Sequence, residues 1–178
     1  MEIWEHPPNG QGVVALMALG ILGELKRTGK IPKLLQEQHN STEYLHSIIK
    51  ALRIAFADAS WWVTDPNMEK VPTKELILQA YLSEQAKLYS PNQYVELLDH
   101  ESPAHNHCDT VYFTVTDKDS NGISFINSNF AGFGTSIIPN GCGFALQDRD
   151  ANFYLTPDHP NALTPRKRPY HSATPGYN

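Results

Sequence analysis

The chain has 178 residues, with 14 Lys and Arg against 19 Asp and Glu and a formal net charge of −5 at pH 7. This length suits one domain with a buried core, and the mild acidic excess gives no field that would attract phosphate backbones, so no nucleic-acid partner is expected. Two cysteines, Cys108 and Cys142, are too few for a disulfide scaffold or a four-cysteine zinc site, although they leave one disulfide open.

The first predicted helix runs from Gln11 to Lys26 and contains the most apolar run of the chain, Gly12 to Gly23. As a helix that run would reach about 18 Å, against about 30 Å for the hydrocarbon core of a bilayer. The residues before it are acidic and carry no Lys or Arg, unlike the start of a signal peptide. We therefore predict no membrane span and no signal peptide in this chain, and assign no compartment.

A second helix is predicted to begin at a cap, Ser41 or Thr42, and to run to Trp62. Its apolar residues recur at three- and four-residue spacing and predict one core-facing stripe: Leu45, Ile48, Ile49, Leu52, Ala55, Phe56 and Ala59. A third helix is predicted from Thr73 to Leu88. Its inward residues would be Leu76, Ile77, Ala80 and Tyr81.

After residue 103 the composition shifts to Gly, Asn, Ser, Thr, Pro and β-branched residues, and the period becomes two. Two strands, Thr110–Thr116 and Gly122–Ser128, are predicted to form a hairpin through a turn at Asp117–Gly122. A third strand is predicted at Phe144–Leu146, and the proline-rich stretch from Thr156 onward is predicted to be extended.

Thr110 is the sharpest candidate for chemistry, because it begins a strand directly after a polar stretch, residues 102–109. A threonine hydroxyl is a weak nucleophile that needs a base beside it, and the free amine of the same residue is one such base. That amine exists only if the Asp109–Thr110 bond is cut. A threonine at the start of a strand is also ordinary in a sheet, so the residues alone leave both interpretations open.

Several motifs, taken in order, resemble the γ-glutamyltranspeptidase family of N-terminal-nucleophile hydrolases. They cover nearly the whole chain: the Pro-Pro turn within Trp4–Gly12, the helix His46–Asp58 ending in Ala-Phe-Ala-Asp, Asp65-Pro66, Asp109-Thr110-Val111-Tyr112, Asn121-Gly122, Phe133-Gly134-Thr135, Asn161-Ala162 and Lys167-Arg168-Pro169.

The resemblance implies an α+β fold that is part of a four-layer αββα sandwich. It implies that residues 1–109 correspond to the helical end of a large subunit and residues 110–178 to the start of a small subunit. It further implies self-cleavage between Asp109 and Thr110, followed by acyl transfer from a small-molecule amide, γ-glutamyl or related, to water or an amine. Ser128 would be the hydroxyl residue that hydrogen-bonds the nucleophile, and no cofactor is implied.

Three departures from the family pattern concern substrate binding. Phe130 stands where the family has a substrate-reading asparagine, and Asn152 stands where an acid grips the substrate's amino group. The family pattern also has a pair of adjacent serines. In this chain His171 stands in place of the first serine, and the second is kept as Ser172. Phe130, Asn152 and Ser172 are thus the candidate substrate-binding residues. Binding an α-amino group without a carboxylate loses a charge-assisted hydrogen bond, so γ-glutamyl specificity is left open.

The family's glycine pair, which forms the oxyanion hole, would lie beyond residue 178. This leads to an alternative prediction, in which the chain is a non-catalytic fragment or remnant of such an enzyme. In the catalytic interpretation, the remaining parts of the same enzyme are the expected partners.

Other residues have rival interpretations. His105, His107 and Cys108 could hold a zinc ion but lack an evident fourth ligand, and Cys108 as a nucleophile has no neighbour that would lower its pKa. Arg166–Arg168 is a basic cluster, for which a surface patch or an ion pair is favoured over a ligand site. We predict no metal site.

Overall fold

The computed structural model describes residues 3–32, 38–92 and 110–172. The chain divides into two compact units. The helical unit comprises the described residues 13–32, 38–62 and 72–92. The hairpin unit comprises the described residues 3–12, 63–71 and 110–172. These units are not the two subunit-like regions, 1–109 and 110–178, that the family resemblance implies. That boundary is a cleavage site and stays a prediction.

The helical unit is built on two long helices that match the predicted ones closely. Helix α1 spans Gly12–Arg27 and helix α2 spans Thr42–Trp62. The hydroxyl of Ser41 accepts a hydrogen bond from the backbone N–H of Tyr44 at 3.2 Å, as an N-cap residue does. The buried apolar core of the unit consists of Val13, Val14, Met17, Ala18, Ile21, Leu25, Ile31, Ala51, Ile54, Ala55, Ala59, Leu76, Leu82, Ala86 and Tyr89.

The predicted core face of α2 was wrong in part. Leu45 and Ile49 are 44% and 55% exposed, and Leu52 and Phe56 are half-buried. The buried face instead holds small and polar residues beside one isoleucine: Ser47, Lys50, Ala51, Ile54, Ala55, Ala59 and Ser60. Apolar side chains cover much of the circumference of this helix, so their spacing fits two adjacent stripes equally well. The stripe with small side chains is the buried one, because small side chains let neighbouring segments pack closer to the helix backbone.

The predicted third helix is broken in two. Helix α3 spans Thr73–Leu76 and helix α4 spans Gln79–Gln85, followed by a 3-10 turn at Ala86–Leu88. Six residues at 3.6 per turn would put Leu76 and Leu82 on different sides of a straight helix, whereas the extended backbone at Leu78 lets both be buried. Ile77 and Ala80, predicted to face inward, are exposed.

Helix α4 lies close to α1. A Cβ added at Gly20 would lie 2.4 Å from a methyl carbon of Leu82, so glycine permits this contact. Glu24 accepts hydrogen bonds from Arg27, from Gln79 and from the hydroxyl of Ser83. The Arg27 hydrogen bond is the largest cause that lowers the pKa of Glu24 to about 2.

The hairpin unit contains the predicted hairpin with its predicted bounds. Strands β1, Thr110–Thr116, and β2, Gly122–Ser128, are antiparallel and run in register from Thr110 opposite Ser128 to Thr116 opposite Gly122. In the connecting turn the Asp117 carboxylate accepts the backbone N–H of Asp119 and both the backbone and side-chain N–H of Asn121. These bonds, with the Asn121 side chain foremost, lower the pKa of Asp117.

The predicted third strand is not formed. Residues 144–146 adopt irregular backbone, although Leu146 donates to the carbonyl of Ile137 and accepts from the N–H of Thr135, both at 2.9 Å. The predicted extended tail is, over 156–172, a series of turns with isolated parallel bridges at Ala162 and His171. Left-handed backbone at 141 and 143, directly before residues 144–146, and at 166, within the tail, departs from the extended backbone of a strand.

Helices and a small antiparallel sheet together give the α+β class predicted from the sequence. Over the residues that the structure describes, no helix combines the length and apolarity needed to cross a bilayer.

Candidate functional site

Thr110 is the first residue of β1 and is exposed. Its register partner is Ser128, the last residue of β2. Directly opposed residues of antiparallel strands have Cβ atoms about 4.5–5.5 Å apart, so the two hydroxyl side chains lie on the same face within reach of each other. On the same face the hydroxyl oxygens of Tyr112 and Ser124, which are diagonal neighbours, lie 3.0 Å apart.

The hydroxyl of Ser128 is fixed by the turn that follows β2. Its Oγ accepts a hydrogen bond from the backbone N–H of Phe130 at 3.1 Å. Phe130 has a φ of +79° and is 3% exposed, so a bulky residue is held in left-handed backbone by the packing around it. Phe130 therefore shapes the Ser128 turn rather than lining an open surface.

A buried arginine, which the sequence analysis missed, lies against this turn. Arg149 is 2% exposed, its Nη1 donates to the Ser128 carbonyl at 3.3 Å, and its guanidinium lies 5.8 Å from the centre of the Phe130 ring. Nothing in the surrounding Gln-Asp-Arg-Asp sequence distinguishes this arginine from a surface charge. Its role becomes visible only when the fold brings residue 149 back to residue 128.

Asn152 ends the 3-10 turn that Arg149 begins. Its amide Nδ2 donates to the carbonyl of Tyr170 at 3.4 Å, and its backbone carbonyl accepts from Nδ2 of Asn161 at 3.0 Å. The same short turn thus contacts the Ser128 end of the hairpin through Arg149 and the 170–172 segment through Asn152.

Ser172 is half-buried and held by a residue that the sequence analysis did not single out, Gln11. Gln11 donates from Nε2 to the Ser172 carbonyl at 2.6 Å and from its backbone N–H to the His171 carbonyl at 3.1 Å. Its side-chain oxygen accepts the hydroxyl proton of Tyr170 at 2.8 Å. Burial raises the pKa of Tyr170, which keeps this phenol a donor.

The Asp-Pro and Arg-Pro motifs meet in an ion pair. The buried carboxylate of Asp65 accepts the backbone N–H of Arg168 at 3.0 Å and its Nη2 at 2.6 Å. Arg168 holds the pKa of Asp65 well below its usual range. Lys167 donates to the Pro160 carbonyl. These contacts agree with the ion-pair interpretation of the basic cluster at Arg166–Arg168.

Several predicted residues cannot be placed. Asp109, His105, His107 and Cys108 lie outside the described residues, so the cleavage bond, the zinc site and the Cys108 nucleophile stay predictions. Cys142 is exposed, with a free thiol. Within 3–32, 38–92 and 110–172, no three His, Cys, Asp or Glu residues are grouped as metal ligands would be.

Comparison with known proteins gives matches along almost the whole chain. Residues 1–177 match the family described as Gamma-glutamyltranspeptidase. The glutathione hydrolase-like YwrD proenzyme of Bacillus subtilis is 33% identical over 98% of this chain and 31% of its own length. The oxamate amidohydrolase proenzyme of Klebsiella pneumoniae is 30% identical over 97% of this chain and 30% of its own length.

A solved structure, cephalosporin acylase from Bacillus halodurans, matches with a TM-score of 0.74 and 34% identity, over 98% of this chain and 30% of the acylase chain. The likeness confirms that the α+β arrangement is part of an N-terminal-nucleophile hydrolase fold. The chain spans about a third of the length of the curated relatives it matches.

Proposed function

Because the chain belongs to the γ-glutamyltranspeptidase family, we propose that it carries the nucleophile of a self-processing amidohydrolase, and that this nucleophile is Thr110. The observation that carries the proposal is the register of the hairpin, in which Thr110 opens an exposed strand directly opposite Ser128. A nucleophile at this position is accessible to a substrate and has a second hydroxyl beside it.

The first step is cleavage of the chain itself. The Thr110 hydroxyl attacks the carbonyl carbon of Asp109 and its proton passes to the Thr110 nitrogen. The C–N bond then breaks, so the acyl group moves from nitrogen to oxygen as an ester and the α-amine of Thr110 is freed. Water then hydrolyses the ester, which releases the Asp109 carboxylate and restores the Thr110 hydroxyl beside that free α-amine. That amine is the base that a threonine hydroxyl needs.

The second step is turnover. The free amine takes the hydroxyl proton of Thr110 as the oxygen attacks a substrate amide, and the proton passes to the leaving amine. Ser128 supports the reacting oxygen by hydrogen bonding. The resulting acyl-enzyme transfers its acyl group to water or to an acceptor amine, which restores the hydroxyl.

The substrate class is an amide whose acyl group is γ-glutamyl or related. Two of the candidate substrate-binding residues favour a substrate whose binding does not require a protein carboxylate to hold an α-amino group. Asn152 is neutral and its amide is bonded to the Tyr170 carbonyl. Phe130 is 3% exposed and offers no polar side chain to a substrate. The names of the oxamate amidohydrolase and the cephalosporin acylase also refer to amides other than γ-glutamyl compounds.

The decisive experiment is self-cleavage of the full-length protein, followed by denaturing gel and intact mass. We expect a product that begins at Thr110; from these 178 residues alone, cleavage would give pieces of 109 and 69 residues, since 178 − 109 = 69. Thr110→Ala should abolish cleavage. Thr114→Ala, also exposed on the same strand, is the matched control and should cleave normally.

Cleavage at this bond in Thr110→Ala would show that Thr110 is not the agent. An intact wild-type chain would favour the non-catalytic alternative. Assays on a chromogenic γ-glutamyl anilide and on simple amides then compare the 178-residue chain with the full-length protein. Because the family's oxyanion donors are expected outside this chain, we expect the chain alone to be slower by about 10²–10³-fold or more.

A further inference from the structure

The orientation of the Ser128 hydroxyl depends on a strained turn. The Phe130 N–H donates to Ser128 Oγ, and the chain leaves this turn through left-handed backbone at Phe130, φ +79°. A phenylalanine does not adopt this conformation without contacts that enforce it. The contacts that hold the turn therefore also hold the hydroxyl.

The segment 148–149 supplies those contacts. Asp148 donates its backbone N–H to the Asn129 carbonyl at 3.1 Å, and its Oδ1 accepts the N–H of Ala131 at 3.0 Å. Arg149 contacts both ends of the Ser128–Phe130 pair, by its hydrogen bond to the Ser128 carbonyl and by the guanidinium over the Phe130 ring. The turn is thus held from one side by two consecutive residues.

Arginine suits this position for a chemical reason. A planar guanidinium can lie against an aromatic ring and donate in its own plane at the same time, whereas an ammonium group is a point charge that cannot do both equally well. Arg149 is 2% exposed, so the two contacts are made in a poorly solvated environment that strengthens them.

We propose that Arg149 is a positioning residue that aims the Ser128 hydroxyl at Thr110, an inference that rests on the proposed function. A serine hydroxyl has one proton to donate and two lone pairs. The Phe130 N–H occupies a lone pair of Ser128, which leaves the hydroxyl proton to be donated. With the turn fixed by Arg149, that proton is directed across the register pair to the Thr110 oxygen, which it supports by a hydrogen bond as that oxygen gives up its own proton on attack.

The test measures the rate of cleavage at Asp109–Thr110 in the full-length protein and needs no substrate. The variants are Arg149→Met, Arg149→Lys, Ser128→Ala and the double variant Ser128→Ala with Arg149→Met. Lys118→Met, in the exposed hairpin turn, is the charge-matched control and should cleave at the wild-type rate. A melting temperature for each variant reports whether it folds.

Arg149→Met should slow cleavage about 10–100-fold, since small misplacements of a reacting group cost this much. Arg149→Lys should fall between Arg149→Met and wild type. If Arg149 acts through the Ser128 hydroxyl, its replacement in the Ser128→Ala background should change the rate by less than about twofold. Independent, multiplying losses in the double variant would overturn the proposal.

A second measurement does not depend on activity. Hydrogen exchange of the Phe130 amide should be about tenfold faster or more in Arg149→Met or in Arg149→Lys, because the bond to Ser128 Oγ is loosened. The Leu163 amide, bonded to the Tyr154 carbonyl, should be unchanged. Unchanged exchange at Phe130 would overturn the positioning role even in a protein that does not cleave. Failure of the proposed function would appear separately, as cleavage that does not require Thr110.

Discussion

The helical unit and the hairpin unit differ in how they use their apolar residues. In the helical unit, Ile21 and Leu25 are fully buried. In the hairpin, by contrast, every residue of β1 is exposed, including Val111 at 67%. The alternation places a continuous apolar face on one side of the two strands, made of Val111, Phe113, Val115, Ile123 and Phe125.

This difference separates apolar residues that are buried among the described residues from apolar residues that are exposed there. A two-stranded hairpin is marginally stable in water unless its apolar face is covered. Because the chain spans about a third of the length of its relatives, we expect the hairpin face to be covered by further parts of the full-length protein. The exposed stripe of α2, with Leu45 and Ile49, is a second surface of the same kind.

The largest expected effect tests the helical core with two isoleucines of α2. Ile54 is 3% exposed, and Ile54→Ala should destabilise the chain by about 2–5 kcal/mol through lost burial and a residual cavity. Ile49 is 55% exposed, and Ile49→Ala should cost less than about 0.5 kcal/mol. Urea unfolding measures both. Equal costs in the 178-residue chain would mean that the division of α2 into a buried and an exposed face is wrong.

This pair of isoleucines also marks what the sequence could predict. The bounds of α1, α2 and the hairpin follow from local capping, periodicity and turn residues, which act within a few positions. Which face of α2 is buried depends on what packs against Ala51 and Ala55, and spacing cannot distinguish two adjacent apolar stripes. The break in the predicted third helix after Leu76 also depends on tertiary packing. Burying both Leu76 and Leu82 overrides the helix propensity of the residues between them.

The candidate site divides in the same way. Thr110 and Ser128 could be proposed from motif resemblance, and strand register then pairs them. Arg149 and Gln11 could not be proposed in this way. Arg149 contacts a residue 21 positions away in the chain, and Gln11 contacts one about 160 positions away. Neither residue type carries a local pattern that indicates such a partner.

A smaller effect is expected from the ion pair of the hairpin unit, Asp65 with Arg168. Asp65→Asn should cost about 1–3 kcal/mol, because a charge-assisted pair is lost and a buried acceptor is weakened. The pKa of Asp65 is lowered in the folded chain, so its contribution is present above the unfolded value of about 3.9 and is lost as the pH falls through the folded value.

Stability measured by urea between pH 7 and pH 2 should therefore decline more steeply in wild type than in Asp65→Asn. The exposed Asp150→Asn is the matched control. Parallel pH profiles for wild type and Asp65→Asn would show that the pair does not stabilise the unit.

A third effect concerns a side-chain hydrogen bond inside the helical unit. The Tyr81 hydroxyl donates to Asp58 at 2.9 Å, and burial, followed by the Asp58 charge, raises the pKa of Tyr81 to about 12. Tyr81→Phe should cost about 0.5–1.5 kcal/mol. The raised pKa means that this contribution is fully present below pH 10 and is lost as the pH rises toward 12. Stability that falls equally between pH 9 and pH 12 in wild type and Tyr81→Phe would contradict this role.

In the 178-residue chain the smallest effect should come from the hairpin face, and measuring the same change in the full-length protein sharpens the comparison most. Phe113 stacks on Phe125 with ring centres 5.2 Å apart, yet both rings are 45% exposed. In the 178-residue chain, Phe113→Ala should cost about 0.2–1 kcal/mol, as a cross-strand pair on an open surface does. In the full-length protein the same change should cost about 3–5 kcal/mol, as for a phenylalanine removed from a core. As a control, Lys118→Met in the adjoining turn should change stability little in both the 178-residue chain and the full-length protein. If Phe113→Ala destabilises the full-length protein no more than the 178-residue chain, the apolar face of the hairpin is uncovered in both. Its residues would then not form part of a core.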